Sequence, residues 1–376
     1  MKKKILFIDN GAHHLYGQMH LIEAFERKGY SIVVLCPHDS DYVDKIKDKG
    51  YSVNIIHLNG KSRNPGTDLV LVGRILRKIK KISPALICSF TIKPNLYGAI
   101  AARRLKIPII ANITGLGYVF MKKNMLNNFV IRLYRYAFKK LDCAFFQNPD
   151  DQNLMVESKI FQPLTNVILL PGSGVNIEKF PYCDLADKQD KITFLFSGRL
   201  LYDKGLHELI SAMKLVKQKY PDTRLVIIGN YFLANPNGVK HSVVESWVKD
   251  GIVEYLGMVQ NVAEVMRDID CMVLPSYYRE GIPRVLMEAC SMGKPIITVD
   301  NVGCREVIED GVNGYMAQPR DVDTLAEAMI KFIELPYKEK LAMGRAGRLK
   351  MEREFDQKIV VQKYLEVANQ LLHAKE

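Results

Sequence analysis

Short, unbroken apolar runs alternate along most of the chain with longer stretches in which apolar and charged positions mix. In the first half the runs at 4–8, 31–36, 52–57, 86–90, 107–113, 143–147 and 166–170 have the length of strands buried on both faces. The stretches between them fit helices at about 18–28, 40–49, 67–82, 95–105, 126–140 and 150–158. Pro84, Pro108 and Pro149 fall at element edges, where proline is tolerated. Strand, helix and strand at such short spacing predict a parallel, doubly wound sheet. The pattern then starts afresh. A strand at 192–196 leads through a glycine turn to a helix at 206–219. Further strands follow at 224–228, 253–257, 271–274 and 295–299, a helical run passes through Glu288, and the end, 337–375, reads as helical.

Pro171, Gly172 and Gly174 punctuate the chain between the two halves, and 184–191 is polar without periodicity. The expected division is therefore 1–175, 176–355 and a final helix at 356–376. A chain of 376 residues is long enough for two cores.

Composition narrows the class. An apolar share of 48% beside 25% charged residues is that of a globular protein. No apolar run has the length of a bilayer-spanning helix. The basic start, Lys2-Lys3-Lys4, is followed by only four apolar residues before Asp9, which reads as a first strand and not as a secretion signal. Seven scattered cysteines without a C-x-x-C pair speak against a disulfide frame or a zinc site.

The net charge of +12 is uneven: residues 1–178 hold 26 Lys and Arg against 13 Asp and Glu, a net +13, which leaves the remainder at −1. The first half is therefore expected to meet something anionic: nucleic acid, anionic lipid headgroups or a lipid-linked diphosphate. Within 120–140, positions 126, 129, 130, 133, 134 and 137 form an apolar helical stripe among Lys122, Lys123, Arg132, Arg135, Lys139 and Lys140. That stripe either packs on the sheet or rests on a membrane surface. Its aromatics lie on the stripe and do not interleave with the bases, which weighs against nucleic acid.

Candidate chemistry gathers where strands end and helices begin, the ligand end of an open α/β sheet. The first such loop, Asp9 to Gly17, lacks G-x-G-x-x-G and so argues against a nicotinamide cofactor. Gly11 and Ala12 would let backbone approach a ligand there, and His13 and His14 are either bases or metal ligands, or polar loop residues. Thr91 and Lys93 follow the strand at 86–90; Lys93 suits a phosphate or an ordinary surface position. Thr114 stands in a third loop with Gly115 and Gly117.

In the second half, Arg199 and Lys204 occupy the glycine turn before a helix. There a guanidinium offers two parallel bonds to phosphate oxygens and an ammonium adds a point charge. After the strand at 271–274 comes Tyr277-Tyr278-Arg279-Glu280-Gly281-Ile282-Pro283-Arg284-Val285-Leu286-Met287-Glu288. Glu280 lies in the loop and Glu288 about two turns into a helix, whose start near Val285 and Leu286 offers N–H groups to an anion.

Two carboxylates with seven residues between them, together with Arg199 and Lys204 in their turn, resemble the signature of retaining glycosyltransferases of family four (group 1). The resemblance implies the GT-B fold: α/β, two Rossmann-like, doubly wound parallel-sheet domains facing each other across a cleft. It implies a nucleotide-sugar donor, a UDP-sugar, with no cofactor and no metal. Glu280, Arg199 and Lys204 would be catalytic. Glu280, Gly281 and Ile282 would meet the sugar, Glu288 the ribose, and Arg199 and Lys204 the diphosphate, with the amides near Val285 and Leu286. Gly11 would approach the diphosphate, and Gly257, Met258 and Val259 would grip the base through backbone. His13, Thr91, Lys93 and Thr114 would lie on the acceptor side. Many members have a histidine where this chain has Thr91, so no side-chain base is expected there; the departing phosphate oxygen can take the proton instead.

Val302 to Glu306 and Gly311 to Tyr315 resemble the family's closing glycine turns. The nearest likeness is to bacterial enzymes that extend sugars on a polyprenyl diphosphate. The resemblance thus implies a hexosyl- or N-acetylhexosaminyltransferase acting on a polyprenyl-diphosphate-linked glycan, cytoplasmic and peripheral on the inner face of the cell membrane. Rival readings are a GT-B-fold UDP-sugar epimerase and a glycan- or lipid-binding protein without chemistry.

Overall fold

The computed structural model describes residues 2–38, 40–57, 65–116, 125–186, 191–279 and 281–373, with backbone only at 65–67 and at 125 and 126. The chain divides into two compact units, Met1–Ser173 with Lys358–Glu376, and Gly174–Gln357.

The first unit is built on β1 (Lys4–Ile8), β2 (Ser31–Cys36), β3 (Ser52–Ile55), β4 (Leu86–Phe90), β5 (Ile109–Ile113), β6 (Cys143–Phe146) and β7 (Asn166–Leu169). Its helices are α1 (Ala12–Tyr16), α2 (Met19–Arg27), α3 (Tyr42–Asp48), α4 (Pro65–Ile82), α5 (Ile92–Leu105), α6 (Met125–Ala137) and α7 (Pro149–Glu157). The strands form one sheet in the order β3-β2-β1-β4-β5-β6-β7, each pair parallel. Because successive side chains on a strand point to opposite faces, the run Ile5-Leu6-Phe7-Ile8 feeds two cores. Leu6 and Ile8 pack with Ile75, Ile79, Tyr134 and Phe146 on one face, while Ile5 and Phe7 pack with Phe25, Phe90 and Phe145 on the other. Burial on both faces is why these strands read as continuous apolar runs.

The second unit repeats the plan with β8 (Thr193–Ser197), β9 (Arg224–Ile228), β10 (Glu254–Gly257), β11 (Cys271–Leu274), β12 (Ile296–Val299) and β13 (Gly314–Ala317). These lie in the order β10-β9-β8-β11-β12-β13, again parallel throughout. Its helices are α8 (Leu206–Lys219), α9 (His241–Lys249), α10 (Val262–Arg267), α11 (Arg284–Ser291), α12 (Val322–Glu334) and α13 (Tyr337–Lys350). The last helix, α14 (Gln357–His373), belongs almost wholly to the first unit. There Val360, Tyr364, Val367, Ala368 and Leu372 complete the core under Phe90 and Phe145. The buried Tyr364 hydroxyl accepts a hydrogen bond from Asn112 Nδ2 at 2.7 Å.

One expectation differs from what is seen. The turn expected at Gly311 to Tyr315 runs into β13, whose first residue is Gly314; a Cβ there would lie 1.8 Å from the Ile296 carbonyl oxygen. Glycine and the exposed Met316 kept this strand from reading as an apolar run. The helical end consists of α13 and α14, separated by a wide turn at Met351–Phe355. Asp356 is extended because its neighbours pair with Val175: Val175 N–H donates to the Phe355 carbonyl (2.8 Å) and Gln357 N–H to the Val175 carbonyl (3.0 Å). Gly174 (φ +70°) permits this contact, since a Cβ would stand 2.5 Å from the Gln357 Cα. Both passages of chain between the units are thus pinned together at one place. No helix among the described residues is long and apolar enough to cross a membrane.

Candidate active site

In the second sheet β8 and β11 are neighbours although β9 and β10 come between them in the chain, so the connections leave toward opposite edges from this pair. That is the topological switch point, where a crevice opens above the strand ends. A cavity of about 460 Å3 lies there. Gly198, Arg199 and Lys204 line it from the β8 side, and Arg284, Val285 and Glu288 from the β11 side.

Local backbone chemistry builds this convergence. After β8 the chain makes a tight turn, Tyr202–Lys204, closed by Gly205 in the left-handed conformation (φ +76°). A Cβ on Gly205 would lie 2.1 Å from the Pro275 carbonyl oxygen, so only glycine lets α8 begin against the end of β11. The Asp203 carbonyl accepts the N–H groups of Tyr277 and Tyr278 at 3.1 and 3.0 Å, and Asn237 Nδ2 donates to Asp203 Oδ2 at 2.9 Å. The turn carrying Lys204 is thereby tied to the loop that follows β11. Lys204 is only 7% exposed, with its ammonium 5.9 Å from the Tyr278 ring centre, while Arg199 is exposed and stacks over Phe232 at 5.2 Å.

Glu288 sits one turn inside α11, its side chain 16% exposed and 3.9 Å from Arg284. Burial pushes its carboxyl above the ordinary glutamate value, opposed by the Arg284 and Lys179 charges. Three cations and one carboxylate thus line the cavity beside the first turn of a helix, a setting that favours a polyanion. Arg284 is the one cation of the three that stands inside an α-helix. A cation in the first helical turn stands against the helix dipole, and that was the available signal.

Other expected donor residues stand apart from this cavity or contribute less. The Leu286 side chain is fully buried and its N–H donates to the Pro283 carbonyl at 3.2 Å, so of the two amides expected to meet the anion, this one is occupied. Ile282 packs into the core, and Gly281 is buried. Gly257, Met258 and Val259 follow β10, two strands from β8. Gly257 has φ +69° and its carbonyl accepts the Gly229 N–H at 2.8 Å, while the exposed Met258 sulfur accepts from Asn230 Nδ2 at 3.1 Å. Glu280 lies outside the described residues.

The first sheet has its own switch point, between β1 and β4. The expected flexible loop after β1 is instead the short helix α1, capped by an extended Gly11 (φ −155°). Asp9 is buried, and its Oδ1 accepts the Gly11 N–H at 3.1 Å and lies 3.1 Å from His14 Nδ1. Gly11 therefore spends its amide on Asp9. Of the two histidines, His14 lies against this carboxylate; the His13 ring is exposed beside it, centroids 3.9 Å apart.

After β4, Thr91 adopts φ +64°, ψ +166°, a region close to glycine-only, at a cost of about 1–3 kcal/mol. Its hydroxyl donates to the Phe90 carbonyl at 2.5 Å. Lys93 is not an open cation: it is ion-paired with Asp68 at 2.8 Å and mostly buried. Thr114, half-buried, follows β5.

A further group of basic side chains in this unit lies on α4. Arg74, Arg77, Lys78 and Lys81 of α4 line a second cavity of about 470 Å3 over Ile55, Ile56 and His57. No carboxylate among the described residues pairs with any of the four. Leu69 and Val70, a turn earlier, are exposed. The α6 stripe, by contrast, packs inward: Tyr134 and Ala137 are buried, Val130 and Leu133 partly so, and Arg135 donates to the Ser158 carbonyl. Among the stripe's described side chains only Phe129 stays largely exposed, and Lys122 and Lys123 lie outside the described residues. No group of three or more His, Cys, Asp or Glu among the described residues could hold a metal ion.

Residues 4–148 match the family model described as glycosyl transferase 4-like, and residues 184–350 the model of glycosyl transferases group 1. A Campylobacter jejuni N,N'-diacetylbacillosaminyl-diphospho-undecaprenol alpha-1,3-N-acetylgalactosaminyltransferase is 26% identical over 96% of this chain and 97% of its own. An Escherichia coli UDP-Gal:alpha-D-GlcNAc-diphosphoundecaprenol alpha-1,3-galactosyltransferase is 23% identical over 82% of this chain and 81% of its own. Among solved structures, a Rickettsia africae glycosyltransferase superposes with a TM-score of 0.80 at 18% identity, covering 99% of both chains. Anabaena Alr3699/HepE, crystallised with UDP and glucose, gives 0.78 at 20% identity over 98% of this chain and all of its own. With two parallel doubly wound sheets, a cationic cavity at the second switch point and both halves matched, the chain belongs to the group 1, family 4 glycosyltransferases and has their GT-B fold.

Proposed function

We propose that this glycosyltransferase moves a hexose or N-acetylhexosamine from a UDP-sugar to a hydroxyl of a polyprenyl-diphosphate-linked saccharide, with retention at the anomeric carbon and without a metal ion. The observation that carries the donor half is the cavity in which Arg199, Lys204 and Arg284 meet Glu288 at the start of α11. Arg199 and Lys204 hold the diphosphate and neutralise the charge that grows on it as the bond to the sugar breaks, the largest kind of contribution a fixed site makes. Glu288, a carboxylate that accepts hydrogen bonds only, suits the vicinal hydroxyls of the ribose. Glu280 and Gly281 hold the sugar. With three cations and a helix start available, the diphosphate needs no divalent ion to neutralise it.

The acceptor half rests on the relatives and on charge. The Campylobacter jejuni and Escherichia coli enzymes are named for diphospho-undecaprenol acceptors. In this chain the unit opposite in charge to such an acceptor carries four bases on α4 without carboxylate partners among the described residues. Those bases, with Leu69 and Val70 beside them, favour attachment to the inner face of the cell membrane, where anionic headgroups attract basic helices.

The test is to incubate the pure protein with a panel of nucleotide sugars, with and without polyprenyl diphosphate saccharides, in the presence of EDTA. Labelled sugar should appear in the lipid product only when both substrates are present, with the donor's anomeric configuration. An altered UDP-sugar formed without acceptor would make the protein an epimerase. Tight glycan-lipid binding without turnover would make it a binding protein.

A further inference from the structure

The two cations assigned to the diphosphate are held in different ways. Lys204 is buried, whereas Arg199 is exposed, and an exposed arginine has many rotamers open to it. Among the described residues no polar group bonds the Arg199 guanidinium. What it meets is the Phe232 ring, with the guanidinium carbon 5.2 Å from the ring centre. A guanidinium stacked on a ring uses its face, while its N–H donors lie in its own plane and point outward from its edge. Stacking therefore orders the group without spending a donor that phosphate oxygens need. A carboxylate partner would occupy that same edge.

Phe232 is placed for this contact by its own segment, 230–239 after β9, which is knitted to the turn carrying Arg199. Leu200 pairs with Tyr231 and Leu201 with Gly238, so the two segments are joined on both sides of Phe232. The Leu200 N–H donates to the Asn230 carbonyl at 3.0 Å, the Tyr202 N–H to the Asn237 carbonyl at 2.9 Å, and the Val239 N–H to the Leu200 carbonyl at 3.0 Å. Within the loop the Phe232 carbonyl accepts the Asn235 N–H at 2.9 Å, and a Cβ on Gly238 would stand 2.5 Å from that same oxygen. The backbone of Phe232 is thus fixed relative to Arg199, and its ring is half-buried. Leu233, the next residue, is 56% exposed.

We infer that Phe232 is a positioning residue of the donor site: its ring holds the Arg199 guanidinium by the face and leaves the N–H edge free for the diphosphate. This rests on the donor reading proposed above, in which Arg199 meets that diphosphate. Phe232 acts through Arg199. Because charge on the diphosphate grows as the sugar departs, a pre-ordered guanidinium gains more in the transition state than in the binding of UDP.

Two kinds of measurement test this. In arginine-labelled protein the ring current of Phe232 should shift the Arg199 side-chain resonances upfield. Phe232→Leu, which keeps an apolar side chain but no ring, should return them to the ordinary range. The same variant should weaken UDP binding about three- to fivefold by titration calorimetry, and lower kcat/KM by at least as much. Phe232→Tyr should stay within about twofold of wild type in both. In an Arg199→Ala background Phe232→Leu should change UDP affinity by less than about 1.5-fold, since the ring has nothing left to hold. Leu233→Ala, in the same loop, should leave UDP affinity and kcat/KM as they are. Unshifted Arg199 resonances in wild type, or an equal loss of affinity with and without Arg199, overturns the inference. Should wild type bind no UDP, the donor reading fails, and the resonance measurement still decides whether Phe232 orders Arg199.

Discussion

Glu288 carries the clearest conflict at the scale of single residues. Its carboxyl is pushed up by burial in the ligand-free protein, so the fold disfavours its charged form. For an acid whose folded value lies above its unfolded one, the penalty is absent in acid below the ordinary value of 4.5 and grows as pH rises through the raised value. Glu288→Gln should therefore raise the melting temperature of the empty protein at pH 7.5 relative to wild type, and the gain should vanish near pH 4. The same substitution should weaken UDP binding about tenfold by loss of a charged hydrogen-bond acceptor. Paired thermal unfolding curves at the two pH values, with and without UDP, check both statements. Equal melting temperatures at pH 7.5 would show that the carboxyl is not strained.

Arg199, Lys204 and Glu288 were legible in the sequence because each sits at a fixed short distance from a glycine turn or a helix start, and local spacing carries that information. Arg284 was not, because its importance lies in facing the other side of a crevice.

Among the elements, the turn between β8 and α8 does the positioning. Gly205→Ala would place a methyl group 2.1 Å from the Pro275 carbonyl oxygen at a backbone angle that alanine avoids. The expected cost is about 2–4 kcal/mol of stability. Because the Asp203 carbonyl binds the Tyr277 and Tyr278 amides, the displaced turn should also take Lys204 away from the cavity. Urea unfolding and UDP binding on the same preparation should both report the loss. A variant with wild-type unfolding and weakened binding would mean that the turn moves without strain.

The strands and most helices could be read from periodicity because parallel strands buried on both faces leave unbroken apolar runs. β13 escaped because it is short, begins with glycine and keeps one face open. The pairing of Val175 with the Asp356 segment, between α13 and α14, left no local signal because it is a contact between residues far apart in the chain. The same distance hides the Asn112–Tyr364 bond that fastens α14 under the first sheet.

Over the whole molecule, charge is segregated by unit, an asymmetry the sequence already shows. The α6 stripe that suggested a membrane face is largely consumed in packing, since a sheet needs a helix to cover it. The four bases of α4 are left facing outward. Each base near an anionic bilayer is worth about 1 kcal/mol. Arg74→Glu with Lys78→Glu should therefore weaken sedimentation with phosphatidylglycerol vesicles at least about tenfold at low salt. Neither the melting temperature nor binding of UDP should change. Unchanged sedimentation would separate α4 from any membrane role.

The account as a whole depends on one property of the second unit, that Arg199 and Lys204 act together on a nucleoside diphosphate. Titration calorimetry of UDP into wild type and into the Arg199→Ala/Lys204→Ala double variant measures it without an acceptor, a membrane or knowledge of the sugar. Wild type should bind one equivalent, and the double variant should lose on the order of a hundredfold or more in affinity while unfolding at the wild-type temperature. Equal UDP affinity in a folded double variant would contradict the account at its centre.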